Sequence, residues 1–319
     1  MKKIGIVGIG GISQKAYLPY MRQLSGIEWH VFTRKQEVRD EVVSLFGQSV
    51  SYNSLDALLE AGLDGVFIHA ATVAHEEIAA QFLKKGIPVY MDKPVTEDYD
   101  TTTALYELAE KHGTFLMAGF NRRFAPKVQD LLTASDKRRI FVEKNALKGT
   151  GPLQYKLFDF FIHPLDTALY LAEGQLIRGD FHYHLEEGLL SQVSVNLYTE
   201  KETIAVSMNL QAGSRREIME VQTPQATYHL KNLDELTVVE GDVETKQGFG
   251  SWDTTLYKRG FESIIQAFLE AIATGKNPVS PELSLLSHWI CDQINRSEIP
   301  YGTLDLEAFY GIAPADHSG

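Results

Sequence analysis

The feature that most constrains this chain is a strand, a glycine turn and a helix at its start. Residues 4–7 form a β-branched run with the composition of a buried parallel strand. The pattern Gly8-x-Gly10-x-x-Ser13 follows directly and leads into apolar residues at helical spacing. Gly8 would allow a tight turn, and Gly10 would leave room for a pyrophosphate held by free N–H groups at the helix start. Ser13 stands where the pattern has Gly or Ala, and its hydroxyl could contact phosphate. The alternative is a glycine-rich turn that binds nothing, but the placement after a strand favours a dinucleotide.

Composition limits the classes of protein to consider. A length of 319 residues is enough for two domains. The chain has 42 acidic and 30 basic residues and a formal net charge of −12, which argues against nucleic-acid binding through a basic surface. Cys291 is the only cysteine, which excludes an intrachain disulfide and a Cys-rich zinc site, and we expect no metal. No apolar segment approaches ~20 residues, so we expect no membrane span and a cytoplasmic location.

The end of the second predicted strand bears on the choice of cofactor. A dinucleotide fold that prefers NAD usually carries an acidic residue there, for the ribose 2′-hydroxyl. This chain has Thr33, Arg34 and Lys35 instead, a hydroxyl and two cations that suit a 2′-phosphate. The alternative is a solvated basic pair in a loop. The pattern favours NADP over NAD.

The remainder of the first 120 residues alternates strands with helices. Buried strands are predicted at residues 65–71, 89–91 and 114–119, each after a helical pattern. Such alternation predicts a parallel, doubly wound sheet of the Rossmann type over residues 1–120.

Two residues after the strand at 65–71 are candidates for cofactor contact. Thr72 is expected to cap a helix over residues 73–84. His75 lies in the first turn of that helix, where it could face the cofactor. A solvated histidine is the alternative at this position.

The pattern changes after residue 120. From residue 177 onward, alternating apolar and polar residues with short turns predict a large, mostly antiparallel sheet. Helices are predicted at 256–274 and 281–296, and the chain after Pro314 is expected to be loosely ordered. The fold class is therefore α/β, with a Rossmann domain at 1–120 and an α+β domain at 121–319 for substrate binding and oligomerisation.

Two further motifs join the glycine turn. Asp92-Lys93-Pro94 stands at a strand's end, and Asp159-x-x-x-His163-x-x-Asp166 lies in the second domain. With these motifs the chain resembles the Gfo/Idh/MocA oxidoreductases over essentially its full length. It resembles the MviM-type branch more narrowly, through the stretches 119–126, Gly-Phe-Asn-Arg-Arg-Phe-Ala-Pro, and 259–261, Arg-Gly-Phe.

The resemblance implies roles for the motif residues. Lys93 would lie between nicotinamide and substrate, where a cation stabilises developing alkoxide charge. His163 would be the general base, because an imidazole pKa near ~6.5 suits proton removal from a carbinol at neutral pH. Asp159 would orient the imidazole or bind a substrate hydroxyl, and Asp166 would anchor the helix or serve the site. The alternative is a helix cap with a buried polar cluster.

The residues that we expect to hold the cofactor combine the glycine turn, the strand ends and the Asp-Lys-Pro motif. They are Gly8, Gly10, Gly11, Ile12, Thr33, Arg34, Thr72, His75, Asp92, Lys93 and Arg123.

Three departures from the family pattern matter. Asp92 replaces the usual Glu, and Phe161 stands where the family often has Gly, which would narrow the pocket. Pro164 cannot sit mid-helix without breaking it, so we expect it in a first turn, with the helix beginning near His163.

The leading functional hypothesis is an NAD(P)-dependent dehydrogenase that transfers a hydride between nicotinamide and a carbinol or carbonyl carbon of a sugar, polyol or derivative. The alternative is a dinucleotide-sensing regulator on the same fold. An unrelated methyl- or glycosyl-transfer enzyme is disfavoured by Asp-Lys-Pro. We expect a small-molecule substrate, and a homodimer or homotetramer built through an open, apolar-leaning face of the second domain's sheet.

Overall fold

A computed structural model describes residues 1–311 of the chain. These residues form two compact units. The first comprises Met1–Phe124 and Thr255–Leu285, and the second comprises Ala125–Thr254 and the described chain from Leu286 onward. The segment after Pro314, expected to be loosely ordered, lies outside the described residues.

The first unit contains a six-stranded parallel sheet. Its strands are β1 (Lys2–Val7), β2 (Ile27–Phe32), β3 (Ser49–Ser51), β4 (Gly65–Ile68), β5 (Val89–Met91) and β6 (Leu116–Ala118). The order β3-β2-β1-β4-β5-β6 confirms the predicted Rossmann sheet. The strand order reverses at β1, so the carboxyl ends of β1 and β4 lie at the point where this fold binds ligands.

Helices connect the strands of the first unit. They are a π-helical turn (Ser13–Tyr17), α1 (Leu18–Met21), α2 (Gln36–Leu45), α3 (Leu55–Leu59), α4 (His75–Lys84) and α5 (Tyr99–Lys111). The side chains of Ser54 and Asp98 cap α3 and α5 by accepting hydrogen bonds from the backbone N–H groups of Ala57 and Thr101.

A late segment of the chain completes the first unit. It carries α9 (Thr255–Lys258) and α10 (Phe261–Thr274), whose apolar stripe packs on the sheet. The rings of Phe268 and Phe67 lie 4.7 Å apart, and a Cβ at Gly65 would lie 2.5 Å from Ile272 Cδ1. This segment fell within residues 121–319 in the predicted division, because an apolar stripe does not reveal which sheet it covers.

The second unit contains a nine-stranded sheet in the order β14-β13-β12-β11-β7-β10-β9-β8-β15. Its strands are β7 (Arg139–Asn145), β8 (Arg178–Glu186), β9 (Leu189–Tyr198), β10 (Thr203–Asn209), β11 (Arg216–Gln222), β12 (Thr227–Lys231), β13 (Glu235–Glu240), β14 (Val243–Gln247) and β15 (Tyr301–Thr303). Only the β7–β10 pair is parallel among these described strands. The predicted mostly antiparallel sheet is confirmed.

Helical segments complete the second unit, and several of them pack on one face of this sheet. They are α6 (Pro126–Leu132), α7 (Leu153–Lys156), a π-helical turn (Leu157–Phe161), α8 (Ile162–Leu171) and α12 (Leu306–Tyr310). The long helix α11 (Pro281–Arg296) begins in the first unit and ends in the second. Nearly every residue of α8 is buried, and this helix packs on β7 and β10.

The opposite face of the nine-stranded sheet is more polar than the sequence led us to expect. Along β9, Val193 and Val195 are buried while the intervening Ser194 and Asn196 lie on the other face. Asn196 donates a 2.9 Å hydrogen bond to Asp180 Oδ1 of β8. A shallow groove of about 230 Å³ on this face is lined largely by polar side chains. The expectation of an apolar-leaning face is therefore wrong.

Within residues 1–311, no helix has both the length and the apolar composition needed to cross a membrane. The same residues contain no group of three or more His, Cys, Asp or Glu side chains arranged to hold a metal ion.

Candidate active site

The glycine turn after β1 has the geometry that the sequence predicts. Gly8 adopts a φ of 87°, and a Cβ at this position would lie 2.6 Å from the backbone nitrogen of Ala70. Only glycine fits there without strain. A Cβ added at Gly10 or Gly11 would meet nothing within 4 Å, and Ile12 is exposed. The turn therefore leaves open space beside a helix start, which fits the pyrophosphate of a dinucleotide.

Ser13 lies on the inner side of this turn. Ser13 is fully buried, and its Oγ has no hydrogen-bond partner among the described residues. The small side chain is thus packed within the unit, and the expected phosphate contact by its hydroxyl is not supported by this placement.

The end of β2 is organised by a residue that the sequence analysis did not select. Arg39 of α2 is 7% exposed and donates hydrogen bonds to the Thr33 carbonyl at 2.6 Å and to Asn53 Oδ1 at 3.0 Å. It thereby fixes the backbone that carries Thr33 and the exposed Arg34. A signal was present, because Arg39 falls three residues before the buried Val42 on one face of an amphipathic helix.

Thr72 has a different structural position from the predicted one. It begins a 3₁₀ turn, Thr72–Ala74, and α4 starts only at His75. Its side chain caps neither element, so the predicted helix cap is wrong. Thr72 remains half-buried just beyond the carboxyl end of β4, and its predicted contact with the cofactor stays a prediction.

His75 is buried and contacts the segment that follows Lys93. Its Nδ1 lies 3.0 Å from the Pro94 carbonyl oxygen and 3.1 Å from that of Val95, and its Nε2 lies 3.0 Å from the Ala70 carbonyl oxygen. Burial lowers the pKa of His75, although the backbone hydrogen bonds oppose this shift. The ring therefore ties the end of β4 to the segment after the Asp-Lys-Pro lysine.

A buried hydrogen-bond network holds the residue before Lys93. Tyr17 donates a 2.7 Å hydrogen bond to Asp92 Oδ1, and His69 Nδ1 lies 3.1 Å from Asp92 Oδ2. The hydroxyl groups of Tyr17 and Tyr90 are 2.8 Å apart. Both carboxylate oxygens thus have protein partners, and a direct contact of Asp92 with the cofactor stays a prediction.

The charges in this network follow from burial and proximity. Burial alone would raise the pKa of Asp92, but hydrogen bonds from His69 and Tyr17 and the nearby charge of Lys93 lower it below its usual value. Burial and the Asp92 charge raise the pKa of Tyr17 well above its usual value. At neutral pH, Tyr17 is therefore a phenol donor and Asp92 a carboxylate acceptor.

Arg123 lies in the 3₁₀ turn Asn121–Phe124 of the first unit. It is 3% exposed, and its guanidinium carbon lies 5.3 Å from the centroid of the Phe120 ring. Neighbouring Asn121 donates a 2.7 Å hydrogen bond to the Arg259 carbonyl, which joins this turn to the segment before α10. The predicted cofactor contact of Arg123 stays a prediction.

The helix that carries His163, α8, begins at Ile162 and continues directly from helical turns before it. Pro164 is the third residue of α8 and lies in its first turn, as predicted, although helical structure is continuous from Leu153 to Leu171, which was not predicted. The reason is the π-helical turn just before, where the Ile162 N–H bonds to the Leu157 carbonyl five residues earlier. A widened turn relieves the clash that a proline ring makes with the preceding turn of an α-helix.

The motif side chains of the second unit are unequally buried. Asp159 is half-buried and His163 is 8% exposed, whereas Asp166 is 1% exposed. Ser287 of α11 donates a long, 3.5 Å hydrogen bond to Asp166 Oδ1, which favours an anchoring role for Asp166. Phe161, expected to narrow the pocket, is fully buried.

Comparisons with known proteins agree with this geometry. A family model described as "Oxidoreductase family, NAD-binding Rossmann fold" matches residues 2–120, and one described as "YceM-like, C-terminal domain" matches residues 129–241. YceM of Salmonella typhimurium, whose name places it among the oxidoreductases, is 31% identical over 304 residues that cover 93% of this chain and 98% of YceM.

The chain belongs to the Gfo/Idh/MocA oxidoreductase family.

Solved structures support the same assignment. A Gfo/Idh/MocA oxidoreductase from Vibrio cholerae superposes with a TM-score of 0.85 at 32% identity, covering 93% of this chain and 97% of that one. The dehydrogenase MviM from Clostridium difficile gives a TM-score of 0.86 at 28% identity, covering 92% and 98%. The resemblance to the MviM-type branch is thereby confirmed.

In this Gfo/Idh/MocA chain, the residues that contact Asp92 were not predicted from the sequence. Ile68 of β4 pairs with Met91 of β5, so His69 and Asp92 occupy the next position of the register. Side chains one residue beyond paired parallel strands lie close together. This rule identifies His69 as a neighbour of Asp92 from the sequence alone. Tyr17 lies 75 residues from Asp92 in the sequence, and no comparable pattern predicts their contact.

Proposed function

We propose that this protein is an NAD(P)-dependent dehydrogenase that transfers a hydride between C4 of nicotinamide and a carbinol or carbonyl carbon of a sugar, polyol or derivative. The proposal rests mainly on the edge of the first unit's sheet at the carboxyl ends of its strands, where this fold binds ligands. An open glycine turn with Gly8 at a φ of 87° stands beside an Asp-Lys-Pro segment whose Asp92 is hydrogen bonded on both oxygens. These hydrogen bonds hold the backbone of Lys93 in one position, as a residue that stabilises charge in a reaction requires.

The dinucleotide would lie over the glycine turn. The backbone of Gly10, Gly11 and Ile12 would hold the pyrophosphate, and Thr33 and Arg34 would meet the adenosine ribose. When bound, the nicotinamide supplies or accepts the hydride. Because the loop after β2 carries Arg34 and lacks an acidic residue, we propose a preference for NADP over NAD.

The chain's own residues would handle the proton and the charge. His163 would take the proton of the substrate hydroxyl during oxidation, and Lys93 would stabilise the developing charge on that oxygen. Asp159, half-buried on the same helical segment as His163, would position the substrate or the imidazole. These roles rest on the family resemblance of the two motifs.

A sugar-like substrate is supported by the name of one relative. This chain is 25% identical to the Glucose-6-phosphate 3-dehydrogenase of Bacillus subtilis over 222 residues, which cover 63% of this chain. We therefore propose a polyhydroxylated substrate and test sugars, sugar phosphates, sugar acids and polyols together.

The test is a substrate panel with both NAD and NADP, followed by the absorbance of the reduced cofactor. We expect at least one polyhydroxylated compound to be oxidised, with higher kcat/KM for NADP. Tight cofactor binding by calorimetry with no turnover on the whole panel would contradict the dehydrogenase and favour the dinucleotide-sensing regulator.

A further inference from the structure

Lys156 of the second unit is an unusual lysine. It is the last residue of α7 and is only 8% exposed. The aliphatic part of its side chain passes directly over Gly151, and a Cβ added to Gly151 would collide with Lys156 Cε. The Leu190 N–H donates a 2.8 Å hydrogen bond to the Gly151 carbonyl and fixes that backbone. The side chain therefore runs through a gap that a glycine leaves open.

The ammonium group of Lys156 has aromatic neighbours and no acceptor. Its Nζ lies 4.2 Å from the centroid of the Phe160 ring and 5.3 Å from that of Tyr155. Within residues 1–311 it forms no hydrogen bond and no ion pair. Burial lowers its pKa, and the charge of Asp159 only partly opposes this shift.

Such an arrangement is costly for a structural lysine. The ammonium keeps some contact with solvent, but its partly buried surroundings reduce its hydration, and cation–π contacts return only part of that free energy. An oxyanion that enters beside the ammonium would supply the missing acceptor through a charge-assisted hydrogen bond. Lys144 adds a second positive charge, with its Nζ 5.7 Å from the centroid of the same Phe160 ring.

The position of Lys156 relates it to the candidate active site. It lies three residues before Asp159 and on the same continuous helical segment as His163. Residues three apart on a helix are neighbours on its surface. The half-exposed ring of Tyr155 beside Lys156 would offer an apolar surface to a sugar ring.

We propose that Lys156, with Phe160 and Tyr155, binds an anionic group of the substrate, a carboxylate or a phosphate. This inference rests on the proposed dehydrogenase function and narrows its substrate class to anionic sugar derivatives. The Asp159 carboxylate beside the ammonium would meet a hydroxyl group of the same molecule.

Binding is tested first, without turnover. The full chain, saturated with NADP so that the glycine turn is occupied, is titrated calorimetrically with inorganic phosphate and with acetate. We expect saturable binding at millimolar concentration, weakened about tenfold or more in Lys156→Met, the loss of one charge-assisted hydrogen bond. Lys156→Arg should retain binding. Lys148→Met, which removes an exposed charge from the preceding segment, should match the wild type.

Turnover then separates the two proposals. Each neutral sugar is compared with its phosphate and its acid, and Lys156→Met should raise KM for the charged member about tenfold with less effect on the neutral one. Equal anion affinity in wild type and Lys156→Met, or no saturable binding in wild type, would overturn the anion site. Lys156-dependent anion binding without oxidation of any compound would keep the site and contradict the dehydrogenase.

Discussion

Tyr17 donates a 2.7 Å hydrogen bond to Asp92, and this bond joins the helix after the glycine turn to the residue before Lys93. The ring of Tyr17 also lies 4.0 Å from that of His69, the second partner of the same carboxylate. The segment that would hold the pyrophosphate and the lysine that would act at the substrate oxygen therefore share one buried anchor.

Tyr17→Phe should weaken both stability and turnover. The substitution leaves Oδ1 of a mostly buried carboxylate without its donor, which costs about 1–3 kcal/mol. Because the Lys93 backbone follows directly, kcat should fall more than cofactor affinity. Thermal unfolding, kcat and NADP binding by calorimetry measure the three effects.

Tyr20→Phe is the matched control for this substitution. Its hydroxyl accepts a 2.7 Å hydrogen bond from Gln266 and does not contact Asp92. An unchanged melting temperature and kcat in Tyr17→Phe would show that the bond to Asp92 does not support Lys93.

His163→Ala should lose about 10²–10⁴ in kcat, the usual contribution of a general base. NADP affinity should stay near that of the wild type, because His163 belongs to the second unit and the glycine turn to the first. The fall of alcohol oxidation on the acidic side, where an imidazole becomes protonated, should disappear in the variant. Steady-state kinetics as a function of pH measure this.

His184→Ala, an exposed histidine on the polar sheet face of the same unit, controls for the loss of an imidazole. If His163→Ala keeps the wild-type rate and the same acidic limb, another group acts as the base.

Arg34→Ala should reduce the preference for NADPH over NADH. The exposed guanidinium is the nearest candidate partner of a 2′-phosphate after β2, and a charge-assisted hydrogen bond of this kind contributes about 1.5–3 kcal/mol. Calorimetry with both reduced cofactors measures the ratio, with exposed Lys84→Ala as the control for loss of a charge. Equal affinities in the wild type would refute the phosphate assignment and leave dinucleotide binding intact.

Stability should fall as the pH is lowered below about 6.5, the pKa of an unfolded histidine. Burial lowers the folded-state pKa of His75 and also that of His30, where the hydrogen bond and charge of Glu28 oppose the shift. The unfolded chain therefore binds more protons in this range, and stability rises with pH until both states are neutral. Below the folded-state pKa values the slope ends.

Urea unfolding between pH 5 and 8, a range of about three units around the histidine pKa, tests this dependence. His75→Asn should flatten the slope, because it removes a group that gains a proton on unfolding. Exposed His184→Asn should leave it unchanged. A wild-type free energy of unfolding that does not change across this range would contradict the prediction.

A homodimer or homotetramer built through the open face of the nine-stranded sheet stays a prediction, although the apolar-leaning surface on which it was based is polar in the structure. Ser194 lies on this face within the shallow groove, so Ser194→Arg would introduce a bulky charge there and should give a smaller species. Light scattering at micromolar concentration measures the mass. A wild-type monomer would refute the expectation.

Local patterns predicted the parts of the fold that local forces determine. The β-branched runs identified the parallel strands, and the glycine turn required Gly8 in a left-handed conformation. Arg39 was missed because a charged residue in an amphipathic helix usually lies on the solvated face. Pro164 lies in the first turn of α8, as predicted, but the π-helical turn that joins α8 to α7 has no sequence signature in this chain.

Contacts between residues far apart in the sequence could not be predicted, for a different reason. Tyr17 meets Asp92 only because the strands between them pack in one particular order. The apolar stripe of α10 is equally compatible with either sheet, and its place on the first one depends on the shapes around Gly65 and Phe67. Periodicity specifies which face is buried and leaves the partner undetermined.

The packing of α10 on the first sheet sets the order of events during synthesis. Residues 1–124 leave the ribosome first, but Phe67 and Tyr90 lack their cover until Phe268 has been translated. The intervening residues 125–254, which carry β7 to β14 of the second unit's sheet, emerge before that cover. A nascent chain at this stage exposes an uncovered apolar sheet, the kind of surface that chaperones bind. The part of the protein that is made first is thus finished only after most of the rest has been made.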